Sequence, residues 1–268
     1  MTDTLTPGQL RQRVDALPPE RRRAFLAAIR ADGDRYGIHP LTAAQEWMLL
    51  LAQLRPDSPA YHVPYRVDLR GDLDVTALRG ALDAVVARHE ALRTVFVPLD
   101  GQSYQMVLPP TGLPLAVEDV APERIDEYAA AEAVRPFDLA RGPLVRATLC
   151  RTGPGDFSLL LSLHHVVCDG WSMGLLFEEL STAYAALREG RSPTLPPVPR
   201  DVPAALAQDR LLGPAELARR LDWWRDALTG APPGLDLPTD RPRPAELEDA
   251  GHEIEFSWPP ELADRVAE

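Results

Sequence analysis

Residues 157–167 read FSLLLSLHHVV, an apolar run that does not alternate with polar residues. A strand with only one buried face carries polar residues at every second position, so this run demands cover on both faces and a central place in a sheet. Two adjacent histidines, His164 and His165, lie in its last third. Cys168, Asp169 and Gly170 follow, and apolar residues then recur at helical spacing through Leu175, Leu176, Leu180, Tyr184 and Leu187. The fold must therefore set a buried strand end against a helix N-terminus, which places the chain in the α/β class.

The rest of the chain supplies partners for that strand. Residues 65–69 alternate like a strand, and residues 94–99 and 103–108 flank Asp100 and Gly101, a hairpin signal. Residues 144–151 read as another strand. Leu78, Ala81, Leu82, Val85, Val86 and His89 line one face of a helix, and residues 122–134 form a second helix that starts at Pro122. Ahead of this body, residues 7–31 form two short amphipathic pieces parted by Pro18 and Pro19. Alone they bury little. Beyond it, residues 191–203 hold five prolines and read as a linker. A helix over 215–228 contains Trp223 and Trp224. A second proline-rich loop covers 232–244, a strand is expected at 252–258 and a helix at 261–268. Three segments result: 1–35, a helical linker or docking segment; 36–190, the main lobe; and 191–268, a linker with the opening of a further lobe.

A length of 268 residues with 45% hydrophobic content suffices for a packed core. The net charge of −12 argues against nucleic acid and against an anionic membrane surface. The first 36 residues run the other way, with seven arginines against five acids. No stretch reaches the ~18 apolar residues of a membrane span, and no signal peptide opens the chain, so a cytoplasmic location is expected. Cys150 and Cys168 make neither a disulfide framework nor a metal spacing.

Side chains alternate across a strand, so His164 and His165 face opposite sides and only one can serve a substrate. A neutral imidazole can take a proton from an amine or hydroxyl nucleophile. Asp169 can orient that ring or tie the loop down by pairing with an arginine. Gly170 allows close backbone approach where the helix begins, a place that suits an oxyanion or a carbonyl. His165 and Asp169 lack a third ligand at useful spacing, so no metal is expected. His89 reads as a core residue, and Cys168 as a small filler rather than a nucleophile.

These residues resemble the condensation domains of nonribosomal peptide synthetases, members of the chloramphenicol acetyltransferase-like superfamily. The HHxxxDG hallmark is matched by residues 164–170, and Trp171 and Ser172 continue it. RHExLRTxF is matched by Arg88, His89, Glu90, Leu92, Arg93, Thr94 and Phe96. The opening S-x-A-Q-x-R segment is approached at residues 41–47, with Thr42 for Ser and Glu46 for Arg. Phe137-Asp138-Leu139, Gly142-Pro143-Leu144, Trp223-Trp224-Arg225 and residues 237–242 resemble the family as well. The aromatic-rich segment expected after the linker is replaced at residues 200–208 by RDVPAALAQ.

The resemblance implies an α/β fold of the α+β two-layer sandwich type, a chloramphenicol acetyltransferase-like lobe followed by an incomplete second lobe. It implies His165 as catalytic base, His164 as its support, Asp169 as a structural residue usually paired with arginine, and the Gly170 amide as a positioning group. Trp171 and Ser172 are implied substrate contacts; Arg88, His89, Glu90 and Arg93 form a structural motif. With the usual later arginine outside this chain, Arg93 is the substitute partner expected for Asp169. The implied reaction joins an acyl or peptidyl thioester to the amine of an aminoacyl thioester. No cofactor is bound directly, because both substrates ride on phosphopantetheine arms of donor and acceptor carrier proteins. Further implied partners are an upstream part of the synthetase, met through residues 1–35, and a chain supplying the second lobe. Two alternatives remain: a non-catalytic module that binds carriers, and an ester-forming acyltransferase of the same superfamily.

Overall fold

The computed structural model describes residues 5–198, and beyond them 202, 206–207, 213–232, 234, 238–242, 254 and 256–267. The chain divides into two units at residues 229 and 230. The first holds two sheets and seven helices of more than one turn among its described residues.

The larger sheet has the order β2 (His62–Arg70), β7 (Asp156–His164), β6 (Val145–Gly153) and β5 (Leu115–Asp119). The apolar run is thus β7, an inner strand, antiparallel to both neighbours. Leu159, Leu161 and Leu163 point to the face covered by α4 (Val75–Arg88) and α6 (Gly170–Arg188). Leu160 packs on the other side with Cys150, Ile125 and Tyr128, the last two from α5 (Ile125–Val134). Burial on both faces explains the absence of alternation in the sequence.

The smaller sheet runs β1 (Ile38–Pro40), β4 (Gln102–Val107), β3 (Thr94–Leu99). Its hairpin turns at Asp100 (φ 51°) and Gly101 (φ 76°), the left-handed pair that a two-residue connection requires. Val95, Val97 and Leu99 face α1 (Pro7–Asp15) and α2 (Pro19–Ala31), where they pack with Leu10, Val14, Leu26 and Ile29. Phe96 faces the opposite way and meets Leu49 of α3 (Ala43–Leu54), Leu144 and Val166.

Three differences from the sequence reading have physical causes. Within the segment expected as a linker or docking preface, 1–35, helices α1 and α2 bury their apolar faces on this chain's own sheet. Helix α3 was not anticipated, although Thr42 and Gln45 form a capping box, with Thr42 Oγ1 accepting from the Gln45 amide at 3.3 Å and Gln45 Oε1 accepting from the Thr42 amide at 2.9 Å. Strands β1 and β5 are too short to show a period. The expected strand at 252–258 falls partly outside the described residues; Ile254 and residues 256–258 carry no strand. Most of the departing segment 200–208 also lies outside them. Helix α7 (Pro214–Ala227) and, in the second unit, α8 (Pro260–Ala267) match the helices expected there. None of the described helices is long and apolar enough to cross a membrane.

Candidate active site

Strand β7 ends at His164, and the chain turns through residues 165–168 into α6. The two histidines separate there as the alternation requires. His164 is 5% exposed and stays on the β7 face opposite α6. Its Nδ1 accepts from the Val166 amide at 3.1 Å, and its ring lies 6.0 Å from Phe137, 6.2 Å from His62 and 6.4 Å from Tyr61, centroid to centroid. Burial pushes its pKa down to about 4, and the neighbouring His62 and His165 push the same way. His164 is therefore neutral near pH 7. His165 is exposed, and its amide donates to the Tyr61 carbonyl at 2.8 Å. Residues 61 and 62 thus fix both histidines, one through the backbone and the other through ring packing.

His165 opens into a cavity of about 370 Å³. Around it stand Thr42, Gln45 and Met48 of the α3 region, Ala91 and Thr94 beyond α4, Gln105 of β4, and Asp169 and Ser172 at the start of α6. His164 is absent from this wall and lines a separate cavity of about 260 Å³ with Tyr61, His62 and Phe137. A further cavity, about 530 Å³ between α2, α3 and β4, has neither histidine in its wall.

Among the described residues no arginine pairs with Asp169 as expected; it caps α6. Its Oδ1 accepts from the Ser172 amide at 2.8 Å and from Ser172 Oγ at 2.6 Å. Those bonds hold its carboxyl below the usual carboxylate range, with the charge of His165 as a smaller contributor. Arg93, the expected substitute partner, is turned away: it donates to the Leu108 carbonyl and approaches Glu90 at 4.0 Å. Gly170 is the first residue of α6, and a Cβ placed on it would meet nothing within 4 Å. Internal packing therefore does not require glycine there. Trp171 is 82% exposed beside it. Burial raises both thiols, Cys150 and Cys168, to about 11, which keeps them protonated near neutrality.

The RHExLRTxF residues hold the neighbouring wall. Glu179 of α6 accepts from Arg88 Nε at 3.0 Å, and its other oxygen lies 2.7 Å from His89 Nε2. Arg88 also donates to the Pro196 carbonyl, which ties the proline-rich segment over the end of α4. The core role expected for His89 is thus that of a hydrogen-bond partner of Glu179 at the core's edge. Glu90 is buried, and its carbonyl accepts from Thr94 Oγ1 at 2.8 Å. Sequence reasoning missed Glu179, though an acid on the apolar face of α6 is a legible signal. It also missed Gln105, a buried amide linking Gln45 Nε2 at 3.1 Å to the Pro40 carbonyl at 2.8 Å.

Comparison with known proteins supplies the family. Residues 36–268 match the Condensation domain family along their whole length. The chain belongs to it. The condensation chain is 41% identical over 238 residues to the dimodular nonribosomal peptide synthase of Bacillus subtilis, a match covering 85% of this chain and 10% of that protein. It is 37% identical over 273 residues to phosphinothricin tripeptide synthetase PhsC of Streptomyces viridochromogenes, covering 94% of this chain and 25% of that one. Among solved structures, the X-domain from teicoplanin biosynthesis matches with a TM-score of 0.69 and 32% identity, over 77% of this chain and 46% of that chain. The starter condensation domain of rhizomide synthetase RzmA shares the fold with a TM-score of 0.64 at 23% identity, over 73% of this chain and 49% of that one. This chain therefore spans a small part of the synthetases and under half of the solved domains. The expected α/β lobe architecture agrees with those structures.

Proposed function

We propose that this chain carries the amide-forming half-site of a nonribosomal peptide synthetase, with His165 as the base toward the acceptor amine. The observation that carries the proposal is the division of labour between the tandem histidines. One imidazole is sealed, neutral and bonded to backbone; the other opens into a cavity at a helix N-terminus. In the reaction, the amine nitrogen of an aminoacyl thioester bonds to the carbonyl carbon of the donor thioester, and the donor's C–S bond breaks. The proton leaving the nitrogen passes to His165, and the departing thiolate is released as a thiol. Partial charge on the carbonyl oxygen is eased by the α6 N-terminus near Gly170. Asp169 holds that helix start in place through Ser172.

Both substrates are expected on phosphopantetheine arms of donor and acceptor carrier proteins, a reading supported by the synthetases among the relatives. A positioned base contributes roughly 10²–10⁴ in rate. Alignment of the reactants can contribute about 7–11 kcal/mol, and on this reading it depends in large part on a second lobe. The test follows amide product by mass spectrometry from loaded donor and acceptor carriers, with the chain alone and with a condensation second lobe supplied in trans. Amide in the second arm supports the proposal; no amide in either arm defeats it, and an ester from a hydroxyl acceptor selects the ester-forming alternative.

A binding role is the second reading, favoured by one observation. A solved structure at 34% identity is the complex of the X-domain and OxyB from teicoplanin biosynthesis. Carrier or enzyme binding without product in either arm would select it.

A further inference from the structure

Behind the loop that presents His165 lies a second cavity, of about 330 Å³. It shares four wall residues with the His165 cavity: Ala91, Val167, Cys168 and Ser172. Three of the four are small. Its remaining wall is Leu92, Met173, Leu175, Leu176 and Val198, with His89 at one side. The wall is thus almost wholly apolar. His89 is held by Glu179, and Cys168 is a protonated thiol, so a charged guest would lose hydration there without gaining a partner. Val198 belongs to the proline-rich segment that Arg88 ties down through Pro196. One ion-pair cluster therefore both fixes α6 and closes this cavity.

We propose that this second cavity receives an uncharged, apolar side chain, of leucine to phenylalanine size, from the aminoacyl group whose amine His165 serves. The proposal rests on the reading of the His165 cavity as the reaction site. The two spaces adjoin across Ala91, Cys168 and Ser172, so an amine held at His165 places its α-carbon at that divide and its side chain behind it. Leu175 stands on the far wall only, so it sets the depth available to the side chain without facing the reacting groups. It is also 46% exposed, so its replacement leaves the core intact.

Titration calorimetry with glycyl-, leucyl- and phenylalanyl-N-acetylcysteamine thioesters tests this on the purified chain and on its Leu175→Trp and Leu175→Ala variants. The wild type should prefer leucyl over glycyl by about tenfold or more, as burial of several methylene groups implies. Leu175→Trp should collapse that ratio toward one, and Leu175→Ala should raise the phenylalanyl-to-leucyl ratio several-fold. Equal affinities, no measurable binding, or a preference unmoved by both variants would overturn the pocket. Amide assays on the same preparations keep the two ideas apart. Product without side-chain preference removes the pocket and leaves condensation standing; selective binding with no product in either arm removes condensation instead.

Discussion

At the residue scale, the tandem histidines differ in burial: His164 is sealed and His165 is exposed. His164 is neutral in the fold because burial lowers its pKa to about 4, while an unfolded chain protonates the same ring near 6.5. Between those values the unfolded state binds the extra proton, so stability from this group is complete above about pH 6.5 and is lost as pH falls toward 4. Burial shifts His62 in the same direction and adds to the loss. Urea unfolding at pH 7.5 and 5 should show this decline, and His164→Asn should flatten it. A slope unchanged by the substitution would contradict the assignment. Gly170 makes the converse case. Open space surrounds its missing Cβ, so Gly170→Ala should hold stability within about 0.5 kcal/mol. If a substrate approaches that backbone, amide formation should fall by about tenfold to a hundredfold. An alanine variant with full turnover would show that nothing approaches there.

At the scale of elements, α6 links the large sheet, α4 and the site. Its apolar stripe packs on α4 and the large sheet, its first residue is set by the Asp169–Ser172 cap, and its middle sends Glu179 to Arg88 and His89. Removing the carboxylate strands a guanidinium that is only 16% exposed. Glu179→Ala should therefore cost about 3 kcal/mol in urea unfolding, and Glu179→Gln should cost less because it keeps an acceptor. Equal stability of all three forms would show that the cluster does not hold α4 to α6. Much of this scale was legible in the sequence. The unbroken apolar run announced β7, the Asp100–Gly101 pair announced the hairpin, and helical spacing of apolar residues announced α4 and α6. What sequence left hidden were pairings between distant residues: Glu179 with Arg88 and His89, Gln45 with Gln105, Tyr61 with His165. Each joins groups 60 to 104 residues apart, beyond any local period. Among the described residues the expected Asp169–arginine pair gives way to a local one, because Ser172, three residues away, satisfies the carboxylate.

For the whole first unit, α1 and α2 contribute one side of the core over the small sheet. Deleting residues 1–31 would expose Ile38, Val95, Val97, Leu99 and Tyr104, so that truncation should lower the melting temperature sharply or leave the protein insoluble. An upstream partner of this segment can use only the outer faces, where Arg13, Arg21 and Arg23 are exposed. Charge reversal at those three positions, not deletion, tests such a contact. Loss of donor transfer with an unchanged melting temperature is the expected outcome if the segment docks, and unchanged transfer rules docking out. The lobe itself brings together α3, β4 and the start of α6 around His165, so the site depends on both sheets being in place.

The amide-forming role rests most heavily on His165. With loaded donor and acceptor carriers and a second lobe in trans, amide formation by the wild type, His165→Ala and His164→Asn should be compared by mass spectrometry. His165→Ala should keep its melting temperature, because the ring is exposed, and lose about 10²–10⁴ in rate. A folded His165→Ala protein that forms amide at the wild-type rate would contradict that role.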